Sequence, residues 1–418
     1  MTDFLPYGRQ TIDEADIAAV SSALADPFLT QGPRVESFER AFSKYLGVRH
    51  AVAFANGTAA LHAAAHAAGL GPGDELLTTP LSFVASANCA LFVGARPRFC
   101  DIDPETANLD VQRAVQAGLP KRAKACVAVS MAGLPIDLEP LRAARRDGLV
   151  VIEDASHALG ARRGGLPLGG DEAADMTTFS FHPVKAITSG EGGMVSTNDD
   201  ALAGALRSFR THGIRRGEPE RDLMGNEHEQ DVMRGGWHYD IDSLGFNYRI
   251  TDFQCALGEH QLARLDEFIA ARNRIADRYR ELLGEIAELQ LPAAAGKPGD
   301  SHAYHLFVVR FREGAGRRRA AYDHLHACGI GVQLHYIPIP VHGLYRSLGY
   351  TMEGLAATQA YYEEALSLPI FPTMTDADVE RVAGELRHAL DAPSRQASAR
   401  AATAENGSRP QSVESLRE

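Results

Sequence analysis

Short apolar runs alternate with helical stretches through the first part of the chain: His50 to Phe54, Glu75 to Thr78, Arg96 to Cys100, Ala125 to Val129 and Leu149 to Ile152. Runs this short and this continuously apolar suit strands covered on both faces. Their alternation with helices supplies the long crossovers that parallel strands need. The expectation is an α/β fold, with a mainly parallel sheet between helix layers.

The flanks set the rest of the organisation. Thr11 and Glu14 have the spacing of a capping box, and Ile17, Val20 and Leu24 then recur at helical intervals. A second helix is expected from Arg34 to Leu46, with Val35, Phe38, Phe42 and Tyr45 on one stripe and Gly47 as its stop. From Thr251 to about Ile286 the pattern is helical again, and Leu265, Phe268, Ile269, Ile275, Tyr279, Leu282 and Leu283 form a stripe that reads as a bridge between domains. Beyond it a smaller α+β unit is expected, with strands His305 to Phe311 and Gly331 to Ile337 and helices Arg318 to Cys328 and Ala357 to Leu366. A chain of 418 residues is too long for one ordinary core. We therefore expect an N-terminal segment (1–26) packing with the smaller domain, a larger domain (27–255), the bridging helix with the smaller domain (256–392) and a disordered tail (393–418).

Charge narrows the function. With 54 acidic against 42 basic residues, the chain offers no general nucleic-acid surface. Cys89, Cys100, Cys126, Cys255 and Cys328 are scattered without a C-x-x-C pair, as expected of thiols in a reducing compartment. The start of the chain has no secretory layout, and the alanine-rich stretch Ala51 to Leu70 is interrupted by Asn56, His62 and His66. A cytoplasmic protein without a membrane span is expected. His302 and His305 are read as core or surface histidines, and no metal site is expected.

Four loop segments carry chemistry. Asn56-Gly57-Thr58 follows a strand and opens the helix Ala59 to Ala68, where glycine permits close approach and the helix start favours an anion. Alone it would pass for a capped turn. Val150 to Asp154 is a strand ending in Glu153 and Asp154, and ligands of open α/β sheets gather at carboxyl ends of strands. Phe179-Ser180-Phe181-His182-Pro183-Val184-Lys185 runs from a strand into a loop, followed by Gly190-Glu191-Gly192-Gly193. A loop lysine by itself is usually a solvated charge, so the surroundings carry the argument. Thr79 to Asn88 brings a fourth loop with Phe83.

These residue types fit pyridoxal phosphate (PLP). Asp154 would keep the pyridine nitrogen protonated, Lys185 would form the Schiff base and move protons, and Ser180 would donate to the phosphate. His182 would border the reacting carbon, and Phe83 offers a ring for stacking. No G-x-x-x-x-G-K-[ST], G-x-S-x-G or H-E-x-x-H motif competes.

At Phe28 to Pro33, Asn56 to Leu61, Glu153 to Ala158, Phe179 to Lys185, Gly190 to Gly193 and Gly245 to Asp252 the chain resembles the DegT/DnrJ/EryC1/StrS aminotransferases, from Phe4 to about Leu390. The resemblance implies PLP fold type I (aspartate aminotransferase-like). It implies that Thr58, Ala59 and Ser180 hold the phosphate, Phe83 stacks on the ring, Asp154 pairs with its nitrogen and His157 lies near its 3-hydroxyl. Asn247 would reach the phosphate of the neighbouring subunit, which makes a homodimer with shared active sites the expected assembly. Leu5 to Asp13, Phe28 to Pro33 and Leu334 to Pro338 are most similar to members that act in pseudaminic acid biosynthesis. That implies L-glutamate as amino donor, 2-oxoglutarate as its product, and a UDP-linked 4-keto-6-deoxy-N-acetylhexosamine as acceptor, with Tyr7, Thr30, His335 and Tyr336 as substrate contacts. The similarity departs at Arg234 to Tyr239, where His238 stands in place of an expected aromatic hydroxyl, and at Ile339 to His342. Another 4-keto or 3-keto nucleotide sugar is the alternative acceptor. Relatives that dehydrate sugars carry histidine at the lysine position, so Lys185 favours amination, and a non-catalytic regulator would have no need of the intact Asp154 and Lys185 pair.

Overall fold

The computed structural model describes residues 4–145, 148–216, 237 and 239–391. The strands are β1 (His50–Phe54), β2 (Glu75–Thr78), β3 (Arg96–Phe99), β4 (Ala123–Val129), β5 (Val150–Asp154), the short pair β6 (Arg162–Arg163) and β7 (Leu166–Pro167), β8 (Met176–Ser180) and β9 (Gly193–Thr197). The main sheet has seven strands in the order β1-β9-β8-β5-β4-β2-β3. Every pair is parallel except the two made by β9. β9 was not among the expected strands; the glycines that precede it hide its start in the sequence.

Both faces of this sheet are covered, which explains the continuous apolar runs. Val52 and Phe54 of β1 pack in one cluster with the alanines of helix α3 (Gly57–Ala67). Ala51 and Ala53 face the other way, toward Phe38 and Phe42 of a helix at Pro33–Leu46. That helix has proline in its first turn and ends at Gly47 in the left-handed region (φ 76°), as the sequence implies.

The opening helix, Glu14–Leu24, departs from expectation. Its capping box is formed by Asp13 and Asp16 instead of Thr11 and Glu14. Asp16 is fully buried, held by His260 and Gln261 of the helix Asp252–Ala263, while Ile17 and Leu24 are exposed. A polar anchor, not the apolar stripe, sets which side of this helix faces inward.

The single long helix expected from Thr251 to Ile286 is two, Asp252–Ala263 and Leu265–Leu283, with the break at Arg264. Arg264 turns back to pair with Asp13 and Asp16. The bridging role is kept: Leu265 and Phe268 belong to the core beneath the main sheet, whereas Ile275, Ala276, Tyr279 and Leu283 belong to the core of the C-terminal unit.

An antiparallel strand pair, β10 (Ile214–Arg216) with β11 (Tyr239–Ile241), precedes those two helices. The C-terminal unit is a three-stranded sheet of β12 (Leu289–Gln290), β13 (Phe307–Phe311) and β14 (Ala365–Leu368), backed by helices Ala315–Ala327 and Asp376–Asp391. Two expectations fail here. Gly331 to Ile337 is not a strand: Gln333 makes one bridge to Ser367, and the chain then leaves the sheet toward the main domain. Ala365 and Leu366, expected to end a helix, open β14 because they pair with Arg310 and Val309. Leu5 bonds Gly329 and Gly331, which ties the N-terminal segment to this unit. Among the described residues no helix is long and apolar enough to cross a membrane. The expected tail, 393–418, lies outside the described residues.

Candidate active site

Strand alternation separates the two carboxylates of β5. Glu153 turns away, fully buried against Arg163 (2.7 Å) and Ser130 (2.5 Å), where burial pushes its carboxyl upward. Asp154 ends the strand on the other side. Its Oδ2 accepts from the Ser86 hydroxyl at 2.7 Å and its Oδ1 from the Ser156 N–H at 3.1 Å, and Ser86 is in turn 2.9 Å from Ser82. The segment Thr79 to Asn88 therefore contributes Ser86, which the sequence reading passed over for Phe83.

β8 runs parallel to β5 and ends at Ser180. The chain then loops and closes on itself, with the Phe181 N–H donating to Gly192 O, and Ser189 N–H and the Thr188 hydroxyl donating to Phe181 O. Lys185 sits in this loop, its own N–H donating to His182 O at 2.8 Å. Burial lowers its ammonium to about 8, against the opposing pull of the Asp154 charge. About a tenth of the amine is thus uncharged at pH 7, far more than for a free lysine.

Beside Ser180 stands the start of α3. Asn56 caps it by accepting the Ala59 N–H at 2.8 Å. Ala59 is consequently already bonded, and the N–H groups of Gly57 and Thr58 are the ones the cap leaves open. A Cβ on Gly57 would lie 2.9 Å from Ser180 Cβ, and one on Gly193 would lie 2.5 Å from Asn56 O. Glycine at both places lets the helix start, the serine and the sheet meet this closely.

Across from these strand ends is a wall of rings. The Ala132 N–H donates to His157 Nδ1 (3.3 Å), which puts the ring proton on Nε2, 3.0 Å from the Tyr336 hydroxyl. His305 packs against His157 with centroids 4.4 Å apart, and its Nδ1 is buried without a partner among the described residues. His335 Nδ1 meets the Ser367 hydroxyl at 2.8 Å, and its ring lies 5.5 Å from Tyr7. Burial and the Lys185 charge hold His157 and His305 well below the usual histidine value, and His335 at about 3. Burial also raises the Tyr336 phenol. The site thus combines one carboxylate and one amine with neutral rings.

Arg272, 1% exposed, organises part of this wall from the bridging helix by donating to the carbonyls of Tyr304, His305 and Ile370. His302, by contrast, accepts the Tyr304 N–H and stacks on that ring, a core role. Neither Arg272 nor His305 carried a signal in the sequence beyond a charge in a helical stripe and a three-residue spacing.

Of the remaining expected residues, Phe83 is 57% exposed with its ring 6.4 Å from Tyr336. Thr58 is half-buried at the α3 start, and His182 is exposed. Thr30 and Asn247 are exposed and bridge to Thr251 and Thr211, away from the Lys185 cluster in their backbone pairing. His238 lies outside the described residues. Ile339–Val341 forms a short turn whose first N–H donates to Pro80 O at 2.8 Å.

The spore coat polysaccharide biosynthesis protein SpsC of Bacillus subtilis (strain 168) is 36% identical over 389 residues, covering 92% of this chain and 96% of that one. Among solved structures, Helicobacter pylori PseC, an aminotransferase involved in the biosynthesis of pseudoaminic acid, superposes with a TM-score of 0.83 at 29% identity, covering 93% of this chain and 99% of that one. The aminotransferase TlmJ from Streptoalloteichus hindustanus gives 0.82 at 30%, covering 92% and 98%. The family profile of the DegT/DnrJ/EryC1/StrS aminotransferases matches residues 10–387. A sheet, a lysine and a carboxylate arranged in this way have the PLP fold type I architecture, and the chain belongs to the DegT/DnrJ/EryC1/StrS aminotransferase family.

Proposed function

We propose that this sugar aminotransferase moves the amino group of L-glutamate to C4 of a UDP-linked 4-keto-6-deoxy-N-acetylhexosamine, as in pseudaminic acid biosynthesis. The observation that carries the reaction class is a buried carboxylate, Asp154, and a half-buried lysine, Lys185, whose ammonium feels the Asp154 charge, beyond the carboxyl ends of two neighbouring parallel strands. Similarity to PseC supports the acceptor.

The residues fit PLP. Gly57 leaves room at Ser180 that a side chain would fill, and the open N–H groups at the α3 start suit a phosphate. Thr58 and Ser180 would hold it, with Ala59 completing the helix turn. Asp154 would face the pyridine nitrogen, Phe83 would cover the ring, and His157 would lie near the 3-hydroxyl. Bound there, PLP supplies the electron sink for a carbanion at the donor carbon. In the first half of the exchange Lys185 Nζ would take the proton from that carbon and pass it to the cofactor, and in the second half it would move a proton the opposite way, to the sugar carbon, which its lowered ammonium value favours. His182 would border the reacting carbon. Tyr7, Thr30, His335 and Tyr336 would orient the sugar, and exposed Asn247 would reach the phosphate of a second copy's site in a homodimer. Five free cysteines fit a reducing cytoplasm.

Turnover with L-glutamate against a panel of UDP-, dTDP- and GDP-linked 4-keto-6-deoxy sugars tests the substrate. The UDP-linked N-acetylated sugar should be aminated fastest. Transfer only to a dTDP- or GDP-linked sugar would overturn the pseudaminate reading and leave the reaction class standing.

A further inference from the structure

Away from the site just described, one face of the C-terminal unit gathers a thiol, imidazoles and a carboxylate, a set of metal donors. His324 and Cys328 are four apart on the helix Ala315–Ala327 and its cap, so they share a face. Glu385 and His388 are three apart on the neighbouring helix Asp376–Asp391. The donors converge on one oxygen: Glu385 Oε2 lies 2.9 Å from His324 Nε2, 3.3 Å from Cys328 Sγ and 3.6 Å from His388 Nδ1. Cys328 Sγ and His324 Nε2 are 3.7 Å apart.

Those separations are close to the edges of a tetrahedral metal site. With zinc about 2.3 Å from sulfur and about 2.0 Å from nitrogen or oxygen, the sulfur–nitrogen and sulfur–oxygen edges are about 3.5 Å and the nitrogen–oxygen edge about 3.3 Å. No edge differs from the observed one by more than about 0.4 Å. The other compact cluster of this kind among the described residues, Asp13, Asp16 and His260, already holds the Arg264 guanidinium against both carboxylates. In the first cluster the nearby Arg381 guanidinium donates to Cys328 O at 2.7 Å and its charge favours the Cys328 thiolate, while His324 and Glu385 are 36% and 30% exposed, open to an ion from solvent.

We propose that His324, Cys328 and Glu385 bind a divalent ion of the zinc class, with His388, 69% exposed and free to turn, or water as fourth ligand. A thiolate, an imidazole and a carboxylate together select zinc or cobalt over magnesium or calcium. On binding, the Cys328 S–H bond breaks as the sulfur–metal bond forms, and the proton passes to solvent without electron transfer. The ion would clamp the two helices at the foot of a functional segment. Gly329 O and Gly331 N–H hold Leu5, and the chain continues from there to His335 and Tyr336 in the active-site wall.

Titrating Co²⁺ into the full-length holoenzyme tests this, since thiolate ligation produces a near-ultraviolet charge-transfer band and tetrahedral ligation intense visible d–d bands. Wild type should show both, Zn²⁺ should displace them and raise Tm, and Zn²⁺ should slow thiol labelling of Cys328. Cys328→Ser should lose the charge-transfer band, and Glu385→Gln should weaken binding by about a hundredfold. No thiolate band in wild type at saturating Co²⁺, or an equal band in Cys328→Ser, would overturn the proposal.

Discussion

The two sides of the active site are built in different ways. Asp154, Ser180 and Lys185 come from strand ends and the loop that follows them, each fixed by sheet register and short-range bonds. His305, His335 and Tyr336 come from segments of the C-terminal unit that reach across, held by Arg272 and by single side-chain contacts. The first side carries charge that chemistry needs, and the second supplies neutral rings. The difference teaches that substitutions on the strand-end side should abolish the reaction, whereas those on the ring side should change stability and selectivity.

The sharpest way to break that contrast is Lys185→Ala. Turnover should fall by about 10³-fold or more while the fold persists, measured by amino transfer and circular dichroism. Asp154→Asn should cost about 10²-fold in kcat, on the scale of losing one preorganised charge. It should also lower the Lys185 ammonium below its value of about 8, because the lost carboxylate no longer favours the ammonium, and the pH dependence of covalent PLP capture should shift to lower pH with it. Comparable losses in His335 or Tyr336 variants would erase the distinction.

On the ring side the expected signature is acid sensitivity. His335 has a folded value of about 3, below the 6.5 of the unfolded chain, so the unfolded state takes up its proton first as pH falls. Its contribution is complete above pH about 6.5 and is lost on going lower, by about 2 kcal/mol at pH 5. Chemical denaturation as a function of pH should show at least that loss, and His335→Gln should make the profile shallower by about that amount, the share of the buried His157 and His305 remaining. Tyr336→Phe should have the smallest effect, a change within about tenfold in kcat/KM for the sugar with the glutamate half-reaction nearly unaffected.

The same contrast explains what could be read from the sequence. Asp154, Lys185 and the Asn56-Gly57-Thr58 turn were legible because apolar runs mark strands and ligands gather where strands end. Ser86 was not, since its bond to Asp154 spans 68 positions and leaves no spacing to recognise. His305 reads from the sequence as a core or surface histidine and is buried, but its place beside His157 left no signal because it depends on a buried arginine from another helix. Asp16 shows the limit of periodicity, as the apolar stripe Ile17, Val20 and Leu24 predicted the wrong buried side of the first helix.

The central claim is that Lys185 carries the proton between donor and cofactor opposite Asp154. A single-turnover reaction of the PLP-loaded protein with L-glutamate, followed by cofactor absorbance and released 2-oxoglutarate, addresses it most directly. The account predicts one equivalent of 2-oxoglutarate per site from wild type and none on that timescale from Lys185→Ala. Release at the wild-type rate from Lys185→Ala would contradict it.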